Sequence, residues 1–390
     1  MSNVRTIAAG VVVAGAIAFG SAVSAQNVTL NIPAQFVVSG KAAETIQDYT
    51  TINLATAQKI AETCEKLATD EKVAISMYVL DNDGNYVYMD RMDGQAYLNV
   101  ITAEMKARTA LMQRAPSKTN MNTVLKDPTR ELQQIQLGFF PNSGGLPIVI
   151  NHQMIGVIGV GGSAPRVPVW SDEICGHKAM EAVLGANNVA PLIEDLPRQQ
   201  NAPNPNAVPV PRFTDASVPK TAISNPAWVV GGKGAQNLYD GNQISLAAAK
   251  QIASTCRQWA TSKNGTMSLF ILDPAGNFVH AERMDGQVFN NIRTALMKAE
   301  TSLKTKVPTS VYTAQGRNNP QGQTRTIDQY GFFTNAGGLP IVVDGQLIGA
   351  IGVGGGAGGG DENCAIEGLK ATFGDHVTLP TMPPPQTAQR

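Results

Sequence analysis

The chain is poor in charge, cysteine and histidine, and each shortage excludes something. Charged residues make up only 15% of its 390, and Lys plus Arg (30) balance Asp plus Glu (30), so the formal net charge is zero. A neutral chain lacks the electrostatic footprint of a protein that lives on phosphate backbones or anionic membranes. Four Cys and four His in such a length leave little room for a zinc-rich module. No C-x-x-C-H occurs, which excludes covalent c-type haem. Nor is there a P-loop, an HExxH or a Ser-His-Asp arrangement that would argue for a conventional kinase or hydrolase. Present instead are 43% hydrophobic residues and 38 Gly, ample for buried cores, in a length that suits two or three domains of roughly 100–200 residues.

The N-terminus reads as an address. Arg5 lies in a short n-region, Ile7 to Phe19 is an apolar run, and Val23-Ser24-Ala25 supplies the small residues a signal peptidase reads. Residues 1–25 are therefore expected to be a signal peptide cleaved before Gln26, with the mature protein periplasmic or secreted. An uncleaved anchor is the alternative, although the run falls short of the roughly 20 residues a span needs. No other stretch is apolar enough for stable membrane insertion.

An internal repeat sets the architecture. Leu80-Asp81-Asn82-Asp83-Gly84-Asn85 recurs as Leu272-Asp273-Pro274-Ala275-Gly276-Asn277, and Arg91-Met92-Asp93-Gly94-Gln95 recurs unchanged as Arg283-Met284-Asp285-Gly286-Gln287. Gly144-Gly145-Leu146-Pro147-Ile148 returns as Gly337-Gly338-Leu339-Pro340-Ile341, and Ile155-Gly156-Val157-Ile158-Gly159-Val160 as Ile348-Gly349-Ala350-Ile351-Gly352-Val353. Order and spacing are kept, so the chain is a tandem duplication. The expected layout is an N-terminal arm (26–51), domain 1 (52–189), a Pro-rich linker (190–242), domain 2 (243–377) and an extended tail (378–390).

Within each copy the patterns predict a helix after an N-cap at Asn53 or Ser245, a hairpin turning at Asp81 to Asn85, and a second helix over about Asn99 to Met112. An irregular polar stretch follows, then a second hairpin, Leu146 to Ile150 with Met154 to Val160, and a last helix from about Asp172 to Leu184. This order predicts an α+β fold, an antiparallel sheet covered by helices.

These motifs, with an Asp opening the last helix, resemble the GlcG/HbpS family, also called haem-degrading, which includes the C-terminal domain of PduO-type corrinoid adenosyltransferases. The resemblance covers both copies nearly end to end, roughly Asn53 to Ala186 and Ser245 to Asp375. It implies two profilin-like domains, each a five-stranded antiparallel sheet flanked by helices, with oligomerisation and with haem as a cofactor in some members. Neither copy carries a His on the first helix, where some members have one.

Candidate ligand-binding residues are the repeated ones. Arg91 and Arg283 could clamp a carboxylate such as a haem propionate, or form an ion pair with Asp93 or Asp285 that pins the turn. Lys106 and Lys298, inside the second helix, could meet an anionic ligand in a cleft or simply snorkel from a helix face. Gly144, Gly145, Gly337 and Gly338 would let backbone amides approach a ligand, or merely set a turn into the strand. Met92/Met284 and Met105/Met297 recur too, although Met at helical spacing is more often core filling. Cys64 and Cys256 lie on the first helix, Cys175 and Cys364 on the last. If those helices pack side by side, as the resemblance implies, disulfides Cys64–Cys175 and Cys256–Cys364 close in an oxidising compartment; metal or thiolate-haem ligation is the alternative.

The expected function is an exported haem-binding protein that buffers, senses or degrades haem. The alternatives are a non-catalytic interaction or assembly module and a binder of another small anionic or corrinoid-like ligand. The copies are expected to pair within the chain as a pseudo-dimer, with homo-oligomers beyond that, and no nucleic-acid partner is expected.

Overall fold

The computed structural model describes residues 33–38, 50–151, 153–163, 166, 169–196, 224–230, 242–318, 331–356 and 360–380. The expected signal peptide, most of the arm and linker, and the tail beyond 380 lie outside the described residues.

In copy one, α1 (Leu54–Asp70) starts where the Asn53 side chain accepts the Thr56 amide proton, and its buried stripe is Leu54, Ala57, Ile60, Ala61 and Cys64. Strands β1 (Ser76–Asp81) and β2 (Tyr86–Arg91) form the first hairpin. Its turn is closed by the Asp81 carboxylate, which accepts from the amides of Asp83 and Asn85. Then come α2 (Tyr97–Gln113), α3 (Lys118–Lys126), α4 (Glu131–Gln136), the hairpin β3 (Gly145–Ile150) and β4 (Gln153–Gly161), and α5 (Asp172–Leu184). Copy two repeats the plan with α6 (Leu246–Ser262), β5 (Ser268–Leu272), β6 (Phe278–Arg283), α7 (Phe289–Thr305), α8 (Thr309–Asn318), β7 (Gly338–Val343), β8 (Gln346–Gly354) and α9 (Gly360–Phe373).

The antiparallel α+β architecture is as expected, with two differences. The stretch after the second helix, expected to be irregular, holds α3 and α4 in copy one and α8 in copy two. Helix α4 buries no residue and α3 buries Lys118, Asn120 and Met121, so neither displays an apolar period. The second difference is strand count. The strands form one eight-stranded sheet in the order β3-β4-β1-β2-β6-β5-β8-β7, four from each copy rather than the implied five. Ile52 and Ile244 make only single bridges, to Val37 and Val229, while their amides donate to Ile155 and Ile348. One residue later the chain enters the helix cap, so the bridge does not extend into a strand.

Both faces of the sheet are covered, and β1 and β5 are accordingly buried at every residue. Helices α1 and α5 cover one face in copy one, as α6 and α9 do in copy two, each over its own apolar cluster. A third cluster, under α2 and α7 on the other face, draws Tyr78 and Met89 from one copy and Phe270 and Ala281 from the other. The Ile-Gly-x-Ile-Gly segments explain how closely these helices lie. A Cβ at Gly159 would strike the backbone of Ala103 and Ala107 in α2, and one at Gly352 the backbone of Ala295 and Ala299 in α7. Disulfides Cys64–Cys175 and Cys256–Cys364 join α1 to α5 and α6 to α9, with Cα separations of 5.3 and 4.8 Å.

Candidate functional site

The copies meet edge to edge. Strand β2 pairs with β6 in the register Tyr88↔Glu282, Met89↔Ala281 and Asp90↔His280, so a pseudo-twofold axis passes near Met89 and Ala281. The repeated Arg-Met-Asp-Gly segments lock this seam reciprocally. Arg91 reaches Asp273 in the opposite copy at 2.9 Å, and Arg283 reaches Asp81 at 2.7 Å; all four side chains are buried or nearly so. The ion pair weighed for these arginines therefore exists, but its partners are the turn aspartates across the seam, not Asp93 and Asp285. Those two instead accept, at 2.9 Å, from the first backbone amide of the other copy's leading helix: Asp93 from Leu246 and Asp285 from Leu54. A carboxylate at a helix N-terminus also complements the helix dipole.

Lys106 and Lys298 are 3% and 4% exposed. Each ammonium donates to a strand-end carbonyl, Val160 at 3.0 Å or Val353 at 2.8 Å, and pairs at 2.7 Å with the Asp at the start of the last helix, Asp172 or Asp361. Gly144 and Gly337 take φ of +117° and +121°, and Gly145 and Gly338 lie against the carbonyls of Lys106 and Lys298, leaving no room for a Cβ. The amides of Gly145 and Gly338 donate to Ser117 Oγ and Thr309 Oγ1, both at 2.9 Å.

Among the described residues, three cavities flank the seam. The largest, about 530 Å³, lies on the α2/α7 side, between the first hairpin of copy one and α7. Tyr86, Phe270, Phe289, Ile292, Leu296 and Met297 give it an apolar and aromatic wall, with Arg108, Arg293 and Glu300 among its charged residues. Its volume falls within the roughly 300–1,000 Å³ of small-molecule sites. The Arg108 guanidinium lies 5.7 Å from the Tyr86 ring centroid and is held by Glu104 at 2.8 Å. Burial, then the neighbouring Glu104 carboxylate, pushes the Tyr86 phenol up to about 12, so its hydroxyl stays a donor. The pseudo-twofold does not reproduce this lining, since Arg293 and Leu296 correspond to Ile101 and Glu104 in copy one. A second cavity, about 280 Å³, is lined by Arg283, Asp81 and Asp285. A third, about 270 Å³, lies on the opposite face between α1 and α6. Of the residues singled out from the sequence, Met297 borders the largest and Arg283 and Met284 the second; Arg91, Met92, Met105, Lys106, Lys298 and the four glycines border none of the three.

Several residues that differ between the copies also gather at the axis. His280, where copy one has Tyr88, bonds Asp90 at 2.6 Å through Nδ1. Lys250 bridges Glu65 at 2.6 Å and Asp90 at 2.9 Å, and Arg257 holds Glu282 at 2.6 Å. Burial opposes the charge on His280, but the Asp90 carboxylate and then Glu282 outweigh it and lift the imidazole to about 9. Burial likewise opposes charge on Asp90, which His280 and Lys250 nevertheless hold down at about 2. Glu65 has burial and the Asp90 charge against it and rises to about 9, so it keeps its proton. The sequence offered one sign of this group, the mismatch of Tyr88 with His280 at a matched position, but no pattern that joins four separate elements.

Comparison with known proteins places the chain. A family model described as "Haem degrading protein HbpS-like" matches residues 52–181 and 244–370. An uncharacterized 15.0 kDa protein of the dhaT-dhaS intergenic region of Citrobacter freundii is 33% identical over 139 residues, 35% of this chain and 94% of that protein. Protein GlcG of Escherichia coli strain K12 is 30% identical over 110 residues, 28% of this chain and 80% of its own length. Among solved structures, protein ORFY of Klebsiella pneumoniae is 29% identical and covers 38% of this chain and 97% of its own, with a TM-score of 0.32. With one family match in each copy and more than half of its length covered, the chain belongs to the HbpS-like family, as a tandem duplication.

Proposed function

We propose that this is an exported haem-binding protein that takes up haem in the 530 Å³ cavity beside the seam. The observation that carries the reading is the composition of that cavity, an apolar and aromatic wall interrupted by two guanidiniums and one thioether. Haem asks for those three things: apolar cover for the macrocycle, cations for the propionates, and a soft or imidazole donor for the iron. In this reading Tyr86, Phe270 and Ile292 cover the ring, Arg108 and Arg293 meet propionates, and Met297 offers its sulfur. Among the described residues no histidine lines the cavity. Haem would supply redox and small-ligand chemistry at the iron; the chain's own part is to bind, orient and exclude water. Membership of a family described as haem-degrading supports the same ligand. Export is supported by the apolar segment ending at Ala25 and by two disulfides, a feature of oxidising compartments.

Hemin titration of residues 26–390 tests the reading. A saturable Soret shift with about one equivalent per chain is expected, because the pseudo-twofold does not reproduce the lining of this cavity. Arg108→Ala and Arg293→Ala should each weaken binding about fivefold, as for partly exposed charge pairs, and Met297→Leu should alter the bound spectrum. A spectrum equal to free hemin plus an inert protein would refute haem binding. Ascorbate in air, added to the complex, separates buffering from degradation by whether the Soret band persists.

A further inference from the structure

We propose that two copies of this chain associate through copy one alone, by the exposed apolar face that α2 and α4 present.

Four large apolar residues of α2, Leu98, Ile101, Met105 and Met112, fall at helical spacing on one stripe and are 39–67% exposed. A stripe at that spacing ordinarily faces a core, yet α2 already buries a different one, through Val100, Ala103 and Ala107, against the sheet. Helix α4 continues the face: its Leu132 and Ile135, with Leu137 at its end, are 55–65% exposed. The two helices meet at Met112, whose Cε lies 4.0 Å from the Cβ position of Gly138, one residue beyond Leu137. A six-residue helix that buries nothing gains little from its own hydrogen bonds, so cover over these side chains would stabilise it.

The duplication shows that this face is not a general feature of the fold. At the matched positions α7 carries Asn290, Arg293 and Lys304 in place of Leu98, Ile101 and Met112; of the four, Met105 alone is kept, as Met297. Area and charge select a second copy as the occupant. The seven exposed side chains offer on the order of 500 Å² of apolar surface, near the upper end of what a monomer leaves bare. A standard interface of about 800 Å² a side, about 60% apolar, needs that amount. The charges beside the stripe cancel, since Glu104 holds Arg108 at 2.8 Å, and the whole chain is formally neutral. No net repulsion therefore keeps two copies apart, and nothing in the face favours a strongly acidic or basic partner. A face present once per chain also closes when it meets its own image across a twofold axis, which gives a pair and not a filament.

Sedimentation equilibrium of residues 26–390, without added haem, is the test. A mass of two chains at micromolar concentration is expected. Exchanging three residues for their copy-two counterparts, Leu98→Asn, Ile101→Arg and Met112→Lys together, should weaken the association about a hundredfold or more. Far-ultraviolet dichroism of this triple variant should be unchanged, because the same residues stand at the matched positions of α7. Lys304→Glu, exposed on the matched face of copy two, should leave the pair intact. Any other mass for the parent protein, or an unweakened pair in the triple variant, would overturn the proposal and leave the face to a different partner. Dissociation by Lys304→Glu would overturn it as well, since copy two would then take part. Should the triple variant misfold, amide hydrogen exchange of the unaltered protein decides. Exchange across residues 131–137 that slows as concentration rises supports this face, and exchange indifferent to concentration rejects it.

Discussion

His280 and Glu65 are the residues through which pH should act. Both hold a proton in the folded chain that the unfolded chain releases earlier, His280 from 6.5 up to about 9 and Glu65 from 4.5 up to about 9. Between those values the unfolded state binds fewer protons, so stability must fall as pH rises. Asp90 acts at the other end, since its folded value is about 2 against 3.8, and its contribution disappears as pH falls through that window. Urea midpoints should therefore peak at mildly acidic pH, near 5, and decline steadily toward pH 9. In His280→Gln the alkaline decline should be shallower, with a lower midpoint at pH 5, where the charged pair is lost. A midpoint that is flat from pH 5 to 9 in the parent protein would contradict this assignment. Sequence comparison of the copies marks the position as divergent but gives it no role, because the role depends on Asp90, Glu65 and Lys250, which lie far apart along the chain.

At the scale of elements, most of the fold was legible because its signals are local. The caps at Asn53 and Ser245, the Asx-type turn at Asp81 and the alternation in the hairpins all act within a few residues, and each element stands where those signals put it. The short helices α3, α4 and α8 were not legible, since they hold their place through few apolar residues. The paired glycines at Gly144-Gly145 and Gly337-Gly338 suggest a ligand approach, yet the amides of Gly145 and Gly338 donate to Ser117 and Thr309, while Gly159 and Gly352 in the following strands serve helix contact. Gly159→Ala or Gly352→Ala forces a methyl into the backbone of α2 or α7 and should cost about 1–3 kcal/mol or more by overpacking. Thermal unfolding would check it. An alanine of similar size at Gly345, where a Cβ meets nothing, should cost only the strain of its positive φ, +75°.

At the scale of the whole molecule, the duplication folds back on itself to form one sheet, and the doubled Arg-Met-Asp-Gly segment is the device that joins the halves. Arg91→Ala leaves Asp273 buried without its partner and should cost about 3–5 kcal/mol. Asp93→Ala removes only a helix-end acceptor from Leu246 and should cost about 1 kcal/mol. Denaturant unfolding of the two variants would rank them, and equal losses would mean that the seam does not depend on the ion pair. The amino-acid sequence by itself determined the repeat, the element order, the antiparallel α+β class and the matched cysteines, because periodicity, caps and turns are short-range. Only the tertiary structure decided that Arg91 and Arg283 cross to the opposite copy, that Lys106 and Lys298 are buried against Asp172 and Asp361, and that the cavities flank the seam. Those partners lie between 63 and 202 residues apart, and a charge does not announce from its own neighbours which distant charge will neutralise it.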